Sequence, residues 1–536
     1  MHEFEIVLAL LVAIVALGLV ALRLALPAPA LFVLGGLAIA LVPGLPPVAF
    51  EPHLIFTIFI PPLLYRASLL ASWRDLHADF KPIVLLSVGL VVFTTIVVGV
   101  AVHAVLPALP LGAAFALGAL VSPPDAAAAT AFLRQLVVPR RIATILEGES
   151  LVNDATAIIA YRMAVAAVVT GTFSLGTAAL QFLYVGTLGV VVGFAVGWLV
   201  RQVRRRIHAP EIETTISLLT PFAAFLPAEA VGGSGVLAVV TTGLYLARLG
   251  PRIVAPDTRI QTEGMWGVVG FVLEGLTFIF VGLELREVRS LLGTYSWTTL
   301  VLAVFAVSLA TLGARLAWVF ASSYAPRWLR FGGKRDAVVS WRYVFFVGWA
   351  GLRGADSLVL ALALPLVTTS GAPFPGRDLI IFLTYAVILV TLLAQGFSLR
   401  PLVNRLGICD TGEIRRLEEA HAREQASTAA LKRLDELSAD LDTEIVAELR
   451  SRYNHRQRRY GARVQAERDG KEERLAERRR TVLRELLEAE RTAVLSLRDK
   501  GMIGDHVLRQ VQRDLDLEVL LQGGRVPGEG SRDGSK

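Results

Sequence analysis

Apolar residues fill most of this chain in long continuous runs, with neither the two-residue alternation of a strand nor the one-sided stripe of a water-soluble helix. Such runs fall near residues 6–26, 30–48, 54–71, 82–106, 111–133, 142–169, 178–200, 212–230, 232–249, 263–285, 296–322, 343–366 and 378–399. A helix of about 20 apolar residues crosses the hydrocarbon core of a bilayer, so the pattern predicts about 13 transmembrane helices. The tightest join lies between the eighth and ninth runs, where Pro227–Ser234 has to reverse the chain. From about Asp410 the pattern changes to helical-period charged segments such as Ile414–His421 (IRRLEEAH) and Leu483–Glu490 (LRELLEAE).

Composition agrees: 54% of the 536 residues are hydrophobic and 18% charged, with the charge segregated along the chain. The expected fold class is an all-α polytopic membrane protein, with a transmembrane domain over 1–405 and a cytosolic helical, regulatory region over 410–522. Residues 523–536, rich in Gly and Ser, read as a disordered tail. Basic residues collect in alternate connections: Arg23; Arg66, Arg74 and Lys81; Arg134, Arg140 and Arg141; Arg201 and Arg204–Arg206; Arg248, Arg252 and Arg259; Arg327, Arg330, Lys334 and Arg335. The other connections carry only Arg286, Arg289 and Arg377. Cytoplasmic loops hold the excess of Lys and Arg, which puts the N-terminus outside and the tail in the cytoplasm of a cell (inner) membrane. A cleaved signal peptide opens on a basic region, whereas this chain opens on Glu3 and Glu5. The lone Cys409 excludes an intrachain disulfide framework.

Against this apolar background the segment Glu147–Thr156 (EGESLVNDAT) places several oxygens inside a spanning run. Ionisable groups at membrane depth cost about 2.5–3.5 kcal/mol on insertion scales, and they face cavities, find partners and serve transport. Helical spacing stacks Glu149 over Asn153 and Ser150 over Asp154. Counted from basic markers at about 1.5 Å per residue, Asp154, Asp125 and Arg353 all come near the bilayer midplane.

The fifth run is interrupted at Val121–Ala126 (VSPPDA) and the twelfth at Gly348–Gly354 (GWAGLRG). Prolines in mid-helix leave carbonyls unpaired, which lipid forbids unless protein or a water-filled cavity covers them. With two inverted repeats of about six helices joined by the seventh, helix 5 maps onto helix 12, and paired broken helices mark a transporter's binding site.

The runs Gly118–Asp125 (GALVSPPD), Thr144–Asp154 (TILEGESLVND) and Gly348–Gly354, with Phe56–Leu64 (FTIFIPPLL) and Leu273–Gly282 (LEGLTFIFVG), resemble the cation:proton antiporter-1 family, the sodium/proton exchangers. The resemblance covers roughly residues 5–405. It implies an NhaA-like antiporter fold and a homodimer, with core helices at about 82–169 and 296–399 and dimerisation helices at about 6–71 and 178–285. It also implies alternating access at one acidic site loaded by either a cation or a proton.

Carried over by position, Asp154 is the exchange carboxylate and Asn153 its partner. Asn there resembles the electroneutral, one-for-one class, whereas members with a second Asp tend to be electrogenic. Glu149 and Ser150 help to hold Na+ at Asp154 or order the site, backbone at Pro124–Asp125 contributes a carbonyl oxygen, and Arg353 compensates the charge. Sodium, lithium and potassium all accept hard oxygen ligands, and burial lets proton and cation compete for one carboxylate. No cofactor is expected.

Two positions depart from the family. Pro124 stands where a Thr usually precedes the helix-5 Asp, which removes a hydroxyl ligand. Asp356 stands where small or apolar residues are usual, and a local ion pair with Arg353 is expected there over an extra cation ligand. Glu274 and Glu229 read equally as ordering or as satisfied structural carboxylates. Arg162 and Arg315 read as snorkelling or helix-pairing side chains, and His53, His77, His103 and His208 as interfacial.

Other functions fit less well. Asp125 and Asp154 would supply an intramembrane aspartyl protease's two acids, but no Gly-x-Gly-Asp loop precedes either. A passive cation channel is commonly built around a symmetry axis, and nothing here resembles a nucleotide-binding loop. The mixed charge of Arg456–Arg480 is that of solvated helices, and no nucleic-acid partner is expected.

Overall fold

The computed structural model describes residues 2–24, 26–42, 52–125, 138–171, 174–207, 209–284, 296–328, 340–369, 371–408, 413–438, 442–465 and parts of 482–515. The second half of the fifth predicted run (126–133) and the tail over 523–536 lie outside the described residues. Among those described, the regular structure is helical and the chain divides into two units, Met1–Asp410 and Thr411–Lys536.

The first unit runs α1 (His2–Leu24), α2 (Ala28–Ala40), α3 (Pro52–Leu70), the short α4 (Trp73–Ala78) and α5 (Phe80–Val105). It continues with α6 (Leu111–Val121), α7 (Arg140–Thr170), α8 (Leu175–Arg204), α9 (Pro210–Ala230) and α10 (Gly235–Ile253). Then come α11 (Pro256–Leu283), α12 (Trp297–Trp328), α13 (Trp341–Trp349), α14 (Ala355–Leu362) and α15 (Arg377–Leu406). Seven described helices are long and apolar enough to cross a membrane. Their outward residues, among them Val12, Leu19, Leu183, Val301 and Phe305, are exposed and apolar, as suits a surface solvated by lipid, not water.

The tight join between the eighth and ninth runs is made by caps. α9 stops at Ala230, and the N–H groups opening α10 are taken by side chains: Leu237 N–H donates to Ser234 Oγ at 3.2 Å and Gly235 N–H to Glu229 Oε1 at 3.0 Å. Two of the orphan donors of the helix start are thus satisfied within the turn.

Two apolar cores form. One draws on α1, α2, α5, α6, α7, α11 and α12–α15, the other on α3, α7, α8, α9, α10 and α11. α7 enters both: Ile142, Leu146 and Tyr161 pack into the first, Leu151 and Ala155 into the second. The polar segment Glu149–Asp154 therefore lies on a helix that the two cores share, as they also share α11.

Two helices contain a π-helical stretch, Leu85–Leu90 in α5 and Thr391–Gln395 in α15. Each wider turn frees backbone groups. In α5 the Leu85 carbonyl accepts from Trp318 Nε1 on α12 at 2.9 Å.

In the second unit α16 (Glu413–Leu437) packs against α17 (Thr443–Gln465). Arg423 donates to the Tyr460 hydroxyl at 2.8 Å and lies over the same ring, and Gln457 Nε2 donates to Thr428 Oγ1 at 2.9 Å.

Candidate functional site

α6 ends at Val121, and Ser122–Asp125 continue without helix. α13 ends at Trp349, and Ala350–Gly354 bridge to α14. The interruptions meet as the sequence pattern required, for Asp125 N–H donates to the Leu352 carbonyl at 2.7 Å.

The carbonyls that the breaks expose are taken one by one. Arg353 Nη1 donates to the Ser122 carbonyl at 2.7 Å, setting a cation on the negative end of α6. Asn153 Nδ2 on α7 donates to the Pro124 carbonyl at 2.7 Å. The last carbonyls of α13 go to two side chains from other helices. Arg315 on α12 donates through Nη2 to Val347 and through Nε to Gly348, both at 3.1 Å, and Gln395 Nε2 donates to Trp349 at 2.7 Å. Thr391 Oγ1 accepts the Arg353 N–H at 3.3 Å. Thr391 and Gln395 are the two ends of the π stretch of α15.

Small residues allow the approach. A Cβ at Gly351 would overlap the Arg315 guanidinium, and one at Gly354 the side chain of Asp125. The glycines of the GWAGLRG run thus serve side chains arriving from α12 and from the α6 break.

The acidic residues separate into engaged and open. Glu149 receives Arg315 in a fork, Nη1 to Oε1 at 2.5 Å and Nη2 to Oε2 at 2.9 Å, with both side chains 0% exposed. Both of its oxygens are engaged by that guanidinium, an arrangement that suits the ordering role expected beside the ligand role. Arg315, read from sequence as snorkelling or helix-pairing, is the fully buried partner of that acid and the cap of α13.

Arg353 does not pair with Asp356, contrary to expectation. α14 begins only at Ala355, so the two residues share no helical turn and the i, i+3 relation does not apply. Asp356 instead lines a cavity with Asp154, bounded also by Ile60, Pro123, Ile158 and Ser357. Asp154 is 9% exposed, and among the described residues no hydrogen bond or ion pair reaches it. Asp125, Asp154 and Asp356 lie within electrostatic reach of one another. Ser150 is buried on α7, and Asn153 Oδ1 is buried with no partner among the described residues.

Magnitudes separate these groups. The Glu149–Arg315 fork neutralises itself, whereas an unpaired carboxylate at membrane depth costs about 2.5–3.5 kcal/mol. A first-turn acid gains only about 0.3–1 kcal/mol from the helix dipole, which does not offset that cost at Asp356. Structure alone accounts for Glu149 and not for the two cavity aspartates.

Three further candidates make local contacts. Glu274 pairs with Arg66 at 2.6 Å, which makes Arg66 a partly buried partner rather than a loop marker. Glu229 accepts from Arg162 at 3.0 Å while capping α10. His103 Nδ1 lies 2.9 Å from the Leu109 carbonyl, close to the end of α5.

A helical membrane protein in which two interrupted helices meet beside a buried carboxylate, Asp154, that has no partner among the described residues has the architecture of a secondary transporter. Residues 6–405 match the family described as sodium/hydrogen exchanger, transmembrane, and the chain belongs to that family; it is a multi-pass secondary transporter, not an enzyme. An uncharacterised Na+/H+ exchanger of Mycobacterium tuberculosis is 37% identical over 529 residues, covering 96% of this chain and 95% of that protein. The Na+/H+ antiporter ApNhaP of Aphanothece halophytica is 31% identical over 417 residues, covering 76% of this chain and 75% of that one. A sodium, potassium, lithium and rubidium/H+ antiporter of Bacillus pumilus is 33% identical over 389 residues, covering 71% of this chain and 58% of its own. The structure of the sodium proton antiporter MjNhaP1 from Methanocaldococcus jannaschii superposes with a TM-score of 0.60 at 20% identity, covering 76% of this chain and all of that one, which shows a shared fold.

Proposed function

We propose that this chain exchanges a monovalent cation for protons by alternating access, with Asp154 taking up each in turn and sodium the foremost cation. Potassium and lithium are the alternatives, since the named relatives include one that handles several alkali cations. The carrying observation is Asp154 itself, nearly buried beside the meeting point of two broken helices, facing a cavity and holding no cationic partner among the described residues. A hard cation would find oxygen there from Asp154 and Ser150, and from the Pro124 carbonyl, which also accepts from Asn153. The Asn153 bond ties α7 to the α6 break beside the exchange carboxylate. Arg353 holds the electrostatic balance at the end of α6 and Glu149 with Arg315 fixes α7 to α12 and α13. With Asp154 alone titrating, as the uncharged Asn153 implies, one proton balances one cation; a further titrating carboxylate raises the proton count.

The same reading takes about 13 spans in two inverted repeats, a homodimer in an inner membrane, and the tail in the cytoplasm. The test uses proteoliposomes with a lumenal pH dye and additions of sodium, lithium or potassium. Cation-driven proton movement that disappears in Asp154→Asn is expected. Absence of movement with every cation would overturn antiport, and unchanged movement in the variant would place the exchange elsewhere.

A further inference from the structure

We propose that Asp356 is a second ion-binding carboxylate, ligating the transported monovalent cation across the cavity from Asp154; this rests on the reading of Asp154 as the exchange carboxylate. The two aspartates come from different helices, α7 and α14, and line one cavity. Nothing in the described structure neutralises Asp356. Arg353, its neighbour in sequence, donates Nη1 to the Ser122 carbonyl, and Arg315 is given over to Glu149 and the end of α13. Asp154, though nine-tenths buried, has no hydrogen-bond or ion-pair partner among the described residues. Two acidic groups that repel each other across a shared space are held together by what enters it: a proton in one half of the cycle, a hard cation in the other. Ser357, beside Asp356 on the lining, adds a hydroxyl oxygen.

Asp356 opens α14, which follows directly on the Ala350–Gly354 bridge. A cation held by both aspartates would therefore join α7 to the broken α13–α14 element, so that loading draws together the parts that carry the site.

Initial rates against cation concentration in proteoliposomes test this. Asp356→Asn should raise the half-saturating cation concentration about tenfold or more while the maximal rate falls less than about threefold, the signature of lost ground-state binding. Asp356→Glu, which keeps the charge, should recover most of the affinity, whereas Asp154→Asn should abolish transport. Cation-dependent protection against thermal unfolding of the purified full-length protein gives a second readout, expected at higher cation concentration in Asp356→Asn than in wild type, and it stands even if that variant transports poorly. Half-saturation and protection within twofold of wild type in Asp356→Asn would overturn the proposal with Asp154 untouched. A wild type that moves no protons with any alkali cation would instead overturn the exchange reading beneath it.

Discussion

Arg315 does two jobs at once, and the second one separates it from an ordinary buried ion pair. Its guanidinium forks onto Glu149 and also closes the Val347 and Gly348 carbonyls at the end of α13. Removing one partner of a buried pair costs about 3–5 kcal/mol because the other charge is left unpaired. Glu149→Gln and Arg315→Met should each lower thermal stability on that scale. Replacing both with apolar residues often restores stability where the pair is self-contained. Here two buried carbonyls would still lack donors, at about 1–3 kcal/mol apiece. Glu149→Leu combined with Arg315→Met should therefore recover only part of the loss in a melting curve, and full recovery would show that the α13 cap carries no weight. The residue types were visible in sequence, but the pairing was not. α12 is apolar nearly all round, so no stripe set its rotation and nothing in the pattern aimed Arg315 at Glu149.

At the scale of elements, the broken helices were legible and their repair was not. Pro123 and Pro124, and the clustered glycines of GWAGLRG, announce interruptions, and the demand that every membrane-depth carbonyl be satisfied puts the two together. Asp125 N–H on the Leu352 carbonyl is that expectation realised. Thr391 and Gln395 were lost in an apolar run, because a π stretch leaves no hydropathy signature and a single amide reads as noise. Asp356 was misread for a related reason: assigning it to a turn with Arg353 assumed a continuous helix across the break. The same crowding at the crossing yields a prediction. A methyl at Gly354 would collide with the Asp125 side chain, while the backbone there needs no special conformation. Gly354→Ala should displace Asp125 and slow exchange by an order of magnitude or more, with a smaller loss of thermal stability than Arg315→Met. A variant that exchanges at the wild-type rate would show that the Asp125–Gly354 contact is dispensable.

For the whole molecule, the helix order sets where the two ends lie. The proposed odd number of crossings would put the N-terminus and the tail on opposite faces, and the distribution of Lys and Arg would make the tail's face cytoplasmic. At the start of α7, Arg140 and Arg141 pair with Asp75 and Asp79 at 2.6 and 2.9 Å. These basic residues are thus anchored beside the α4–α5 connection, whereas the opposite end of α7 runs into the uncharged Thr170–Thr177 stretch. Since Cys409 is the one cysteine of the chain, replacing it with alanine gives a blank background for labelling. In that background Thr177→Cys, exposed near the start of α8, should react with a membrane-impermeant maleimide in intact cells. Ser451→Cys, exposed on α17, should react only after the membrane is opened. Labelling of both from outside would require an even number of crossings between residues 177 and 451 and would remove one of the spans that the apolar runs predict. Reversal of both would keep the count and invert the chain, which would place the paired arginines of α7 on the outer face against the charge rule.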